Sequence, residues 1–163
     1  MSSYSLDFQI LPKEELKDQR LILWIWHADK IPPHLGLSVS NNYFSLKSNG
    51  KDMGLPVAKV ENILENKPIV TLALDLKANF DVSEIRAIFS EYDKAEAGKD
   101  TCLSPINDLF KTKSITIHSF LDYLTESSLI NGVYGFNVPP NFEGIPMYSM
   151  EDIQNRLKLL ESK

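Results

Sequence analysis

Along the chain the apolar positions run at period two, at period 3.6 or without a break, and each kind of stretch predicts an element. From Tyr4 to Leu11, Tyr4, Leu6, Phe8 and Ile10 alternate with Ser5, Asp7 and Gln9, an edge-like strand that Pro12 ends. Leu21 to Trp26 is apolar throughout and rich in β-formers, as a strand covered on both faces would be. Leu35, Leu37 and Val39 then alternate with His34, Gly36, Ser38 and Ser40, so one face packs inward and the other presents a histidine among small polar groups. Asn41-Asn42 tolerates positive φ and predicts a two-residue hairpin turn. That turn pairs Ser40 with Tyr43, Ser38 with Ser45 and Gly36 with Lys47, and sets Asn49 opposite His34 on the same face.

Ser48 to Gly54 reads as a turn-rich loop, and Leu55 to Asn66 places Val57, Val60, Ile63 and Leu64 on one helical face. Pro68 breaks that helix and opens a strand over Ile69 to Leu76. Asp81 with Glu84 three residues on has capping-box spacing ahead of Ile85, Ile88, Phe89 and Tyr92. Thr101 as a cap, Pro105 in a first turn and the stripe Ile106, Leu109 and Phe110 predict a helix with Cys102 at its N-terminus. Thr116 caps a further helix bearing Ile117, Phe120, Leu121 and Leu124; Val133 to Val138 is a short strand; Ser149 with Asp152 caps a last helix. No repeat, low-complexity tract or linker divides residues 1–163, so the expectation is one α+β domain with a hairpin-based antiparallel sheet packed against helices.

At 163 residues the chain can bury an ordinary core without a disulfide or a metal. Its net charge of −5, with Lys and Arg scattered singly, argues against a nucleic-acid partner. The single cysteine rules out an internal disulfide and a cysteine-based zinc cluster, and His27 and His34 lack the same-face helical spacing of a zinc site; no metal or cofactor is expected. The first residues lack the basic start and apolar run of a secretory signal, and Leu21 to Trp26 is too short to cross a bilayer. A cytoplasmic protein without stable membrane insertion is therefore expected.

A cysteine at a helix N-terminus is where the macrodipole and free N–H groups favour the thiolate, lowering the pKa of a nucleophile and offering a seat for an oxyanion. A neutral imidazole within reach serves as general base and then general acid, and His34 on its rigid strand is the best placed of the three histidines. His27 reads as a packed or capping histidine and His118 as a surface one. The bland alternatives are an inert Cys102 under a helix, a jobless strand histidine at His34, and ordinary core aromatics at Trp24, Trp26 and Tyr43, which otherwise wall a cleft.

The segment His34-Leu35-Gly36-Leu37-Ser38-Val39 on a hairpin strand, with a cysteine opening a helix downstream, resembles the circularly permuted NlpC-type branch of the papain-like thiol hydrolases. That branch is similar to lecithin:retinol acyltransferase and the PPPDE isopeptidases in placing histidine before cysteine. The resemblance spans roughly residues 20–125 and implies a sheet or half-barrel with the cysteine helix against the histidine strands, and thioester chemistry on a peptide-like or acylated substrate. It makes Cys102 the nucleophile and His34 its base. The family's third polar residue falls here on Leu46, which can orient nothing. Either Asn49 takes the role or a bulge brings Ser45 or Lys47 around. The alternative to an enzyme is an inactive papain-like fold that binds a peptide or protein.

Overall fold

In the computed structural model, which describes residues 3–17 and 20–162, the apolar run Leu21–Trp26 is strand β3, buried along its whole length. It is the middle strand of a seven-stranded sheet. On one side follow β7 (Thr71–Leu76), β8 (Ile130–Phe136) and β2 (Ile10–Pro12); on the other, β4 (His34–Val39), β5 (Asn42–Lys47) and β6 (Gly50–Pro56). Neighbours are antiparallel except β2 and β8, which run parallel, so the sheet is mixed and open rather than wholly antiparallel. The expected strand Tyr4 to Leu11 splits: β1 (Ser3–Tyr4) pairs with β9 (Ile145–Pro146) in a separate ribbon, and only Ile10–Pro12 joins the main sheet.

Five helices complete an α+β fold: α1 (Val57–Asn66), α2 (Val82–Ser90), α3 (Ser104–Phe110), α4 (Ile117–Glu126) and α5 (Met150–Glu161). The capping boxes Asp81/Glu84 and Ser149/Asp152 both form, and the Thr116 hydroxyl accepts the Ser119 N–H. None of the helices described is long and apolar enough to cross a membrane. One face of the sheet carries Leu23, Ile25, Leu35, Leu37 and Phe44 against α2, α3 and α4; the other carries Ile22, Trp24, Trp26 and Tyr43 against Val57, Val60 and Leu64 of α1.

Ser48 to Gly54, expected as a loop, supplies most of β6. Long-range bonds override its turn-rich composition. Lys51 Nζ donates to the backbone oxygens of Phe89 (3.3 Å), Ser90 (3.4 Å) and Tyr92 (2.5 Å), where an ammonium satisfies carbonyls left over at the end of α2.

The β4–β5 turn also differs from expectation. Its positive-φ residues are Ser40 (48°) and Asn41 (67°), not Asn41 and Asn42. The register therefore moves by two, to Ser38↔Tyr43 and Gly36↔Ser45. Asn41 is held by α1, whose Val57 N–H meets both its backbone oxygen (3.3 Å) and its Oδ1 (3.2 Å). Asn42 becomes a strand residue whose Nδ2 donates to Ser40 O at 2.8 Å. In this register Tyr43 leans diagonally across Gly36; a Cβ added there would land on the Tyr43 ring and hydroxyl, so only glycine fits.

Candidate functional site

The β4–β5 ladder stops at Gly36↔Ser45 although β4 begins at His34 and β5 ends at Lys47, so the last rungs stand open. A cavity of about 680 Å³ lies at this open end, bounded by the β3–β4 loop, the β5–β6 turn, the segment Thr101–Leu103 and one face of α5. Its size suits a small-molecule or peptide side-chain ligand. Cys102, His34 and Asn49 all line it, and so does Trp26. Trp24 is core, its Nε1 donating to Ser38 Oγ at 2.8 Å.

The cysteine is half-buried in the turn before α3 rather than in its first turn. Thr101 Oγ1 accepts the Leu103 N–H (3.2 Å), while the Thr101 N–H goes to Ser104 Oγ (2.9 Å). The N-cap is Leu103 and the helix has only seven residues, so little dipole reaches the sulfur. Burial pushes the Cys102 thiol up to about 11, opposed by the backbone N–H groups of Leu35 and of Cys102 itself, which favour the thiolate. This corrects the expectation of a lowered thiol: desolvation of the anion outweighs two donors and a short helix. Leu35, the residue after His34 at the open end of β4, lines the same cavity as the cysteine.

His34 is half-buried opposite Trp26. Burial pulls its imidazole down to about 4, the Asp52 carboxylate favours the charged form, and Lys47 and His27 oppose it. Among the described residues no hydrogen bond joins the imidazole to Cys102. Asn49 is not opposite His34. The two-residue register shift leaves it exposed in the β5–β6 turn, and continuing the ladder gives the place opposite His34 to Lys47. Leu46 is fully buried with Ala95, Ile153 and Leu157.

The charged neighbour of His34 that sequence reasoning missed is Asp52, on the strand expected to be a loop. Its Oδ2 accepts the Ser45 hydroxyl at 2.7 Å and its Oδ1 meets Lys47 Nζ at 3.3 Å. Beside it two donors find their acceptors: Trp26 Nε1 donates to the Tyr43 hydroxyl (2.7 Å), and the Ser45 hydroxyl donates to Asp52. The one signal in the sequence was period two: Asp52 belongs to the sheet only if β6 is a strand.

Compared with known proteins, the chain matches no family model, no curated protein and no solved structure. The arrangement must be judged on its own chemistry.

The other two histidines differ from expectation. His27 is an exposed residue at φ 53° on the cavity rim, not packed. His118 is half-buried, with Nε2 2.9 Å from Thr116 Oγ1 and, among the described residues, no partner for its buried Nδ1. Among the described residues no group of three or more histidine, cysteine or acidic side chains is arranged to hold a metal.

The segment leading to the cysteine is tied on both sides. The Ala95 N–H donates to Lys47 O (2.8 Å); the Ala97 and Gly98 N–H groups donate to Glu161 (3.0 Å) and Gln154 (2.5 Å) of α5.

Proposed function

We propose that the chain is a cysteine-dependent hydrolase or acyltransferase that acts on an amide, isopeptide or ester bond through an acyl-enzyme, with a circularly permuted papain-like order of His34 and Cys102. The observation that carries this reading is that Cys102 and His34, far apart in the chain, line one cavity together with Leu35, whose N–H favours the thiolate. At neutral pH the resting pair is thiol and imidazole, not an ion pair. His34 would take the thiol proton as the sulfur attacks the carbonyl carbon, and backbone N–H groups at the cysteine would receive the oxyanion. The imidazolium would return the proton to the departing amine or alcohol, and a second nucleophile, water or an acceptor, would release the acyl group by the reverse path. Asp52 takes the place the resemblance reserved for a third polar residue, stabilising the imidazolium through its charge.

An activated acyl ester tests this. A Cys102 acyl adduct should appear by mass spectrometry, vanish in Cys102→Ser and form on the order of a hundredfold more slowly in His34→Gln. Equal rates in the His34 variant would remove the base and with it the reading. Without substrate, alkylation of Cys102 should climb with pH past 9 toward a midpoint near 11. The raised thiol and the missing Cys102–His34 bond favour a second reading, a non-catalytic module that binds peptides in this cavity; it predicts no adduct with any acyl ester.

A further inference from the structure

We infer that the acyl donor carries a carboxylate close to the scissile carbonyl, held between Lys30 and Arg156 at the mouth of the Cys102 cavity. The inference rests on the acyl-enzyme reading for the place of the reacting carbon. In a chain with 22 acidic and 17 basic residues, the residues lining the cavity include Lys30, Lys47, Arg156, His27 and His34 and not one Asp or Glu. The charge of Lys47 is answered by Asp52, but among the described residues neither Lys30 nor Arg156 has a carboxylate within ion-pair distance. Arg156 falls in the series Ile153, Arg156, Leu157, Leu160, all cavity-lining and spaced i, i+3, i+4, i+7 along α5. The guanidinium thus rises from the helical stripe that turns toward the cavity, not from the opposite face.

Two unanswered cations on two elements that line the one cavity, the β3–β4 loop and α5, would make an anion seat. The guanidinium fork matches a carboxylate with two parallel bonds, and the ammonium adds a point charge. Ile31, Ile115 and Leu160 offer apolar surface to the rest of the acyl group.

Because Cys102 is the only thiol, alkylation reads this cavity alone. With iodoacetate or iodoacetamide the sulfur forms an S–C bond, the C–I bond breaks, iodide leaves and the thiol proton passes to His34 or water. Iodoacetate carries a carboxylate on the reacting carbon, and iodoacetamide is its neutral counterpart. The rate ratio of the two, divided by the same ratio for free β-mercaptoethanol, should be about fivefold above one at low salt and shrink as salt is added. It should fall in Arg156→Gln, fall in Lys30→Gln, and approach one in the double variant. A wild-type ratio at or below one, or a ratio that neither substitution moves, overturns the inference. A raised ratio without any acyl adduct removes the acyl-enzyme reading instead, and an adduct with neutral esters at a ratio of one removes only the carboxylate.

Discussion

The two faces of the β4–β5 hairpin are equally buried and held by different physics. One presents Leu35, Leu37, Phe44 and Leu46, among apolar neighbours that need only fill space. The other presents Gly36, Ser38, Tyr43 and Ser45, where Trp24, Trp26 and Asp52 meet hydroxyls at 2.7 to 2.8 Å. Packing tolerates small shifts of position, whereas a buried donor without its acceptor loses its full hydrogen bond. The apolar face therefore sets how stable the hairpin is. The polar face sets where His34, at its open end, must stand.

The largest effect should come from the apolar face. Phe44→Ala removes a fully buried ring whose centroid lies 5.6 Å from that of Phe89, and should lower unfolding free energy by about 3–5 kcal/mol in urea titration. Folded protein should keep its Cys102 labelling rate. On the polar face, Tyr43→Phe leaves the buried Trp26 N–H without its acceptor and should cost about 1–3 kcal/mol of stability. Here labelling should slow as well, which separates placement from packing. Asp52→Asn keeps shape but removes the charge that favours the imidazolium and leaves Lys47 unanswered. Acylation should fall about tenfold (about 1.4 kcal/mol of barrier), and the acid limb of its pH profile should move lower.

The last effect concerns proton linkage and is read in stability alone. Burial holds His34 neutral down to about pH 4, while an unfolded histidine titrates near 6.5, so between those values the unfolded chain binds the extra proton. The stability this contributes is present above pH 6.5 and is lost as pH falls toward 4. His34→Gln should flatten that part of the stability curve and leave the part due to His118, whose pKa burial also lowers. An unchanged curve would mean that the imidazole is solvated in the folded state.

What the sequence made legible was local. The β3 run, the Asp81 and Ser149 capping boxes and the Thr116 cap each depend on residues within a few positions, and they form as expected. Of the candidate residues, Cys102 and His34 line one cavity as the sequence suggested they would. The rest depended on distant partners. Choosing Ser40-Asn41 over Asn41-Asn42 for the turn required Val57, sixteen residues on. Recognising β6, and through it Asp52, required carbonyls at the end of α2. The direction of the Cys102 shift required knowing how far α3 falls short of the sulfur and how deeply the thiol is covered.

The Lys51 ammonium at the end of α2, together with the Ala95 N–H on Lys47 O, fastens the cysteine's approach to the rim of the sheet. In the language of amide exchange, Ala95 belongs to the same opening unit as β5 and β6, and its proton should leave at their slow rate rather than at that of a surface loop. A fluctuation that carries Cys102 away from β4 must first strip this edge of the sheet. The distance between sulfur and imidazole is thereby governed by the folding cooperativity of the hairpin.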